Sequence, residues 1–113
     1  MQILNLTRNS IIASRTVIAD TFFLRMAGLL NRRSLPPGEA LVITRCQSIH
    51  MIFMRFAIDV IFVSKANGVV GLAENIKPYQ FSKIFFSSSL AIECPVGTIQ
   101  GSQTSLGDQI SIQ

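Results

Sequence analysis

The sequence predicts a mainly β protein, a small antiparallel β-sandwich or jelly-roll-like barrel with one short α-helix near residues 21–31. Short apolar and β-branched runs recur along the chain, and turn-forming residues separate them at intervals typical of sandwiches and small barrels. Only one segment has apolar residues at helical spacing. The 113 residues suffice for one core, so we predict a single domain over residues 1–113.

Eight segments have strand character because they are rich in β-branched residues or alternate between apolar and polar positions. They are residues 2–6, 11–19, 39–44, 48–53, 58–64, 69–74, 90–94 and 109–112. Asn67-Gly68 favours a tight hairpin between the fifth and sixth segments, since both residues tolerate positive φ. Gly107-Asp108 predicts a turn before the last strand, and Pro36-Pro37-Gly38 ends the element before it.

The predicted helix begins at Thr21, whose hydroxyl can cap free backbone N–H groups. Phe22, Met26 and Leu29 then recur at helical spacing up to a break near residue 31. Gly28 lies inside this pattern at a cost of about 1 kcal/mol relative to alanine. We therefore expect another element to pack closely against the helix at that point.

The charged residues argue against a nucleic-acid partner. Ten Lys and Arg outnumber six Asp and Glu, which gives a net charge of +4. However, the cations are scattered along the sequence, and Arg32-Arg33 is the only adjacent pair. A nucleic-acid surface usually shows a clustered basic patch, so we expect no nucleic acid to bind.

The apolar content argues for a cytoplasmic protein without a membrane span. The N-terminus lacks the pattern of a signal peptide, and Arg25, Arg55 and Asp59 interrupt the most apolar windows. In the cytoplasm, Cys46 and Cys94 are expected to be thiols, although their pairing stays open. Hydrophobic residues nonetheless make up 49% of the chain, so we expect a partner to cover part of the surface.

Several segments resemble the widespread prokaryotic DUF192 family, also known as uncharacterised ancestral conserved region COG1430. They are "ADTFFLRMAGLLNRRSL", "ALVI", "HMIFMRFAIDVIFVSKANGVV" and "AIECPVGTI" followed by "GDQI". The resemblance runs from about residue 12 to the C-terminus. It implies a β-rich sandwich of jelly-roll type with one short helix, but no firmly assigned activity. The recurrent family positions would fall on Arg25, Gly28, Leu29, Arg32, Met54, Asp59, Phe62, Glu93 and Gly97.

This chain departs from the family pattern in two places. Relatives often carry an aromatic pair where this sequence has Ile52-Phe53, and a lysine where it has Arg55. Polar residues usually start the helix, whereas this chain has Phe22-Phe23-Leu24. The second change favours a protein contact at the start of the helix.

Two carboxylates lie inside apolar strands. Asp59 lies between Ile58 and Val60, and Glu93 lies between Ile92 and Cys94. Because a buried carboxylate is costly unless it is paired, we expect Arg25 and Arg55 to form ion pairs with them. The same polar set could instead form a ligand site, in which arginines contact an anionic or polyhydroxylated ligand. The candidate ligand-binding residues are Arg25, His50, Met54, Arg55, Asp59 and Glu93.

An enzyme remains the alternative. Cys46 and His50 have the residue types of a nucleophile and a base in a hydrolase, and Asp59 could orient the base. However, four strand residues separate Cys46 and His50 by roughly 13 Å, and no glycine-rich oxyanion turn accompanies Cys46. A metal-dependent enzyme would draw on Cys46, His50, Cys94 and Glu93, but the sequence lacks the close ligand pairs typical of zinc sites. We therefore expect no catalytic residue, no metal and no cofactor.

Adjacent phenylalanines point to a protein contact. The pairs Phe22-Phe23 and Phe85-Phe86 cannot easily direct both rings into one core. At least one ring of each pair is therefore expected at the surface, as in a homodimer or at a protein partner. A loop folded back over the core is the alternative. The favoured function is a small binding module for a polar or anionic ligand or a protein partner, and not an enzyme.

Overall fold

The computed structural model describes residues 1–20, 29, 32–52 and 54–113. These residues form eight strands in two sheets, which confirms the predicted mainly β class. The strands are β1 (Ile3–Asn5), β2 (Ser10–Ala13), β3 (Arg15–Ala19), β4 (Glu39–Thr44), β5 (Ile58–Ser64), β6 (Val69–Ile76), β7 (Ser88–Cys94) and β8 (Ile110–Ile112). The described residues also contain one short helix, α1 (Thr98–Gly101).

The two sheets have the strand orders β2-β1-β8 and β3-β4-β7-β5-β6. Neither sheet closes on itself, so the architecture is an open sandwich. All pairs are antiparallel except β3 and β4, which run parallel with Arg15 opposite Glu39. The predicted strand at 11–19 is in fact two strands in different sheets. The chain changes sheets at Ser14, where the N–H groups of Ser14 and Arg15 both donate to the Gly38 carbonyl.

Apolar side chains cover both faces of the central strands β5 and β7. On the face between the sheets, Ile61 and Ile92 pack with Ile3 and Val42. On the opposite face, Val60, Phe62 and Ala91 pack with Leu29, Met51 and Met54. Strand residues point alternately to the two faces. A strand buried on both faces needs apolar residues at nearly every position, which explains the continuous run in β5.

The predicted turns are confirmed, with one difference in detail. Ser64 and Gly68 are joined by a backbone hydrogen bond of 2.9 Å, and Asn67 has a φ of 66°. Gly68 is not in the left-handed region, so Asn67 is the only residue of this turn with a positive φ. Gly107 has a φ of 87° at the other predicted turn, and Gly38 has a φ of 86° at the predicted end of the element before β4. Such values favour glycine because a Cβ atom would be strained there.

Strand β6 lies at the edge of the larger sheet and is irregular. Its register with β5 shifts twice. The first shift lies between the pair Ile58–Ile76 and the pair Val60–Ala73, and the second lies just beyond Phe62. These shifts are β-bulges, which bend a strand and interrupt its regular pairing. Asn75 lies in the first shift with a φ of 49°.

The prediction of a strand at 48–53 is wrong for the residues that the structure describes. His50 forms only an isolated bridge with Phe81. The segment instead pairs irregularly with the connection between β6 and β7. The Met51 N–H donates to the Gln80 carbonyl, and the Ser82 N–H donates to the Ile49 carbonyl. The predicted helix at 21–31 lies outside the described residues except for Leu29, which is buried.

The connection from β6 to β7 carries its aromatic residues on both sides. Phe85 folds back onto the sheet, with its ring centroid 4.6 Å from that of Phe62. Phe81 and Phe86 point outward and are 68% and 79% exposed. In the described part of the chain, no helix is long and apolar enough to cross a membrane.

Candidate functional site

Asp59 is buried between the two sheets and is satisfied by backbone amides. Its Oδ1 accepts the N–H of Asn75 at 2.9 Å, while Oδ2 accepts the N–H groups of Gly97 at 3.1 Å and Ile99 at 3.0 Å. The carboxylate therefore joins β5 to the bulge of β6 and to the start of α1. The interpretation that Arg55 pairs with Asp59 is wrong, because Arg55 is exposed and the amides take its place.

Glu93 is also buried but points to the opposite face of the sheet. Asp59 lies opposite Cys94, whereas Glu93 lies opposite Val60, so the two carboxylates are on different sides of the central strands. Burial raises the pKa of Glu93 to about 7. Among the described residues, Glu93 takes part in no ion pair.

The structure separates the other predicted ligand-binding residues. Met54 is buried in the core on the same face as Glu93. His50 and Arg55 are exposed. Arg25 lies outside the described residues, as do Phe22 and Phe23. Of the described residues of the predicted set, only His50 lines the cleft at one end of the five-stranded sheet.

That cleft has a volume of about 1090 Å³ and opens at one end of the five-stranded sheet. It lies where β4 ends, β5 turns into β6, and β7 begins. We call it the serine cleft because five of its lining residues are serines: Ser48, Ser64, Ser87, Ser88 and Ser89. Arg45, Cys46, Gln47, His50, Lys65 and Phe86 also line it.

Hydrogen bonds hold the two walls of the serine cleft together. Ser88 Oγ donates to the Cys46 carbonyl at 2.8 Å, and the Cys46 N–H donates to the Ser89 carbonyl at 3.3 Å. Gln47 Nε2 donates to the Phe86 carbonyl at 2.8 Å. The chain enters this wall through Arg45, which has a φ of 52°. Such a φ is uncommon for a residue with a side chain, and strained residues often cluster at functional sites.

The charged side chains that line the serine cleft are all cationic. Arg45 and Lys65 come from different walls, and no carboxylate is found among the described lining residues. Guanidinium and ammonium groups bind carboxylates and phosphates, and serine hydroxyls both donate and accept hydrogen bonds. The cleft therefore has the chemistry to bind an anionic or hydroxylated group.

The cysteines lie in different environments. Cys46 lines the serine cleft, and its Sγ is 3.1 Å from the Ser48 carbonyl. Cys94 is fully buried, and burial raises the pKa of its thiol to about 12. Cys46 and Cys94 are not joined by a disulfide, and no group of three metal-ligating side chains occurs in the described ranges. The four residues considered for a metal are therefore not assembled there.

Arg45, Lys65 and the serines were not predicted as site residues. No local pattern marks them, because they lie at strand ends and turns that are far apart in sequence. The positive φ of Arg45 is a property of the fold that its residue type does not reveal. Lys65 lies in the predicted hairpin, so its place at a sheet end was foreseeable, but its neighbours were not.

The chain is similar to proteins from archaea and bacteria. A UPF0127 protein of Thermococcus sibiricus is 35% identical over 112 residues, which cover 96% of this chain and 72% of the relative. A UPF0127 protein of Pyrococcus furiosus is 34% identical over 113 residues, with coverages of 95% and 94%. A crystal structure of a protein of unknown function from Novosphingobium aromaticivorans has a TM-score of 0.87 at 20% identity, covering 99% of this chain and 84% of that one.

The crystal structure supports the fold alone, because its sequence identity is low. The family assignment rests on sequence. The pattern of DUF192, described as "Uncharacterized ACR, COG1430", matches residues 4–112. That range includes α1, the serine cleft and all of both sheets except Ile3, so the chain belongs to the DUF192 family.

Proposed function

We propose that this protein is a non-enzymatic binding module that holds a polar or anionic small ligand in the serine cleft. The supporting observation is the lining of that cleft, which combines Arg45, Lys65 and five serines without a carboxylate among the described residues. The two cations would hold an anionic group. The hydroxyls, Gln47 and His50 would orient the rest of the ligand.

The distribution of charge supports an anionic ligand. All nine Lys and Arg residues in the described part of the chain are exposed. Asp59, Glu93 and Asp108, half of the six acidic residues, are buried. The exposed charged side chains are therefore predominantly positive. A positive surface raises the rate at which anions reach a cleft.

A thermal-shift screen tests the proposal. Wild type and Lys65→Ala would be scanned with inorganic phosphate, citrate, sugar phosphates and neutral sugars. A ligand of the folded state stabilises it by about 2.7 kcal/mol at a concentration of 100 times Kd, so the melting temperature should rise by several degrees. We expect the rise with anions in wild type and a smaller rise in Lys65→Ala.

Arg15→Ala is the matched control, because Arg15 is exposed at the far end of the β3–β4 pair, opposite Glu39. It should retain the full shift at the same ionic strength. Equal shifts in wild type and Lys65→Ala, or no shift with any compound, would rule out anion binding in the serine cleft.

A cysteine hydrolase is the second candidate, because Cys46 and His50 line the same cleft. The contact between the Cys46 thiol and the Ser48 carbonyl weighs against it, since a thiolate cannot donate that hydrogen bond. Ester hydrolysis by wild type would be compared with Cys46→Ser and His50→Gln. Activity lost in both folded variants would establish the enzyme, whereas equal rates in all three would exclude it.

A further inference from the structure

Two segments that pair with each other form a face with cationic and aromatic side chains. Residues 45–55 and 77–89 are joined by backbone hydrogen bonds, among them Phe85 N–H to Gln47 and Ser82 N–H to Ile49. Neither segment contains an aspartate or a glutamate. Together they carry Arg45, Arg55, Lys77 and Lys83, all of which are exposed. We call this surface the basic aromatic face.

Exposed aromatic rings lie in and next to the serine cleft. Phe86 lines the serine cleft with Arg45 and Lys65, and it is 79% exposed. His50 lines the same cleft, and its ring centroid is 6.5 Å from that of Phe81, which is 68% exposed. The aromatic surface therefore continues from the serine cleft to Phe81, which lines a second cleft together with Lys83 and Glu74.

We propose that the basic aromatic face and the adjoining serine cleft bind single-stranded nucleic acid, with phosphates held by Arg45 and Lys65 and bases stacked on Phe86 and Phe81. This inference rests on the proposed function, since it takes the serine cleft as the anion site. Cations that follow the backbone, together with rings that stack on any base, are what binding of single strands requires. The concave cleft suits a strand better than it suits a flat lipid surface.

The inference differs from the expectation, drawn from the sequence, that no nucleic acid binds. That expectation rested on cations scattered along the sequence. Folding brings Arg45 and Lys65, which are twenty positions apart, to one cleft and places Phe86 beside them. A basic patch assembled from distant segments leaves no run of cations in the sequence.

Fluorescence anisotropy with a labelled single-stranded oligonucleotide of roughly 12 nucleotides tests the inference. We expect binding at low salt that weakens as salt rises, because bound cations displace counterions from the phosphates. Phe86→Ala and Phe81→Ala should each weaken binding by about 5- to 150-fold, the loss expected when one stacked base is released. Both side chains are exposed, so neither substitution should unfold the protein.

Two control variants separate stacking from charge. Val17→Ala removes an apolar side chain that is 65% exposed on the edge strand β3, and it should leave binding unchanged. Lys65→Ala should reduce the slope of log affinity against log salt by about 0.7, the value for one lost contact to a single strand. Arg15→Ala should leave that slope unchanged.

Several results would overturn the inference. They are no binding of the oligonucleotide at low salt, wild-type affinity in both ring variants, equal affinity for polyphosphate, or binding to anionic vesicles that the oligonucleotide does not reverse. If inorganic phosphate or citrate still raises the melting temperature of wild type but not of Lys65→Ala, the proposed function survives this failure. If these anions also have no effect, both proposals fail.

Discussion

The carboxylate of Asp59 accepts the backbone N–H of Gly97 at 3.1 Å and so binds β5 to the residue before α1. The same side chain accepts N–H groups from Asn75 and Ile99. One buried carboxylate thus connects three segments that are distant in sequence. An ion pair could have neutralised the charge but would not have fixed three backbone segments.

Asp59→Ala should reduce the free energy of unfolding by about 3–5 kcal/mol, because it leaves three N–H groups, including that of buried Ile99, without their acceptor. Urea denaturation followed by circular dichroism would measure the loss. Asp59→Asn keeps one acceptor oxygen and should lose less. Asp20→Ala changes an exposed aspartate and should stay near wild type. An Asp59→Ala protein as stable as Asp20→Ala would contradict a structural role for the carboxylate.

Glu93 should make the protein less stable as pH rises from about 4.5 to 7. Its pKa is about 7 in the folded state, above the value of 4.5 for the unfolded chain, so the folded state binds the proton more tightly. The stabilisation is complete below pH 4.5 and is lost as pH approaches 7. In Glu93→Gln, the free energy of unfolding should lose this pH dependence, which amounts to roughly 2–3 kcal/mol. Denaturation midpoints at several pH values would measure it, and an unchanged slope would contradict it.

Asp108 should make the protein less stable as the pH falls, which is the opposite of the effect of Glu93. Hydrogen bonds from Asn5 first, and then from Ser105 and Arg8, lower the pKa of its carboxyl. The ionised Asp108 carboxylate stabilises the folded protein at pH values above its pKa in the unfolded chain. This stabilisation is lost as the pH falls through the lower pKa of Asp108 in the folded state. Asp108→Asn should therefore flatten the decline in stability below about pH 4. Melting temperatures of wild type and variant that decline in parallel would count against this.

Gly71→Ala should disturb the packing of Phe85. A Cβ at residue 71 would lie 2.4 Å from Phe85 Cδ1, so the ring would have to leave its place against Phe62. We expect a loss of about 1–3 kcal/mol in the free energy of unfolding. Gly101→Ala is the matched control, since a Cβ there meets nothing within 4 Å and alanine favours the helix. The double variant Gly71→Ala, Phe85→Ala should lose less than the sum of its single changes.

The two thiols should differ in reactivity. In the native protein at pH 8, iodoacetamide should label Cys46, which lines the serine cleft, and leave Cys94 unmodified, because burial raises its pKa to about 12. Mass spectrometry of intact Cys46→Ser would then show no label until urea is added. Labelling of Cys94 in the native protein at the rate of Cys46 would mean that the central strands open readily.

Features set by local sequence could be predicted, and features set by long-range register could not. The bounds of β4 and β5 follow from continuous apolar runs, and the hairpin follows from the residues between Ser64 and Val69. The serine cleft depends on β7 lying between β4 and β5, which brings Ser88 beside Cys46. The partners of Asp59 are backbone amides, which every residue type except proline carries. The pairing of oppositely charged side chains therefore predicts arginines as the partners of Asp59 instead.

The bulges in β6 affect how copies of the protein can associate. The strand is the outer member of the five-stranded sheet, and its register shifts near each end. Near Val69, its outer edge is already hydrogen-bonded to Gly107 and Asp108. An incoming strand would find no long regular ladder to follow, so growth of the sheet into fibrous aggregates is hindered at this edge.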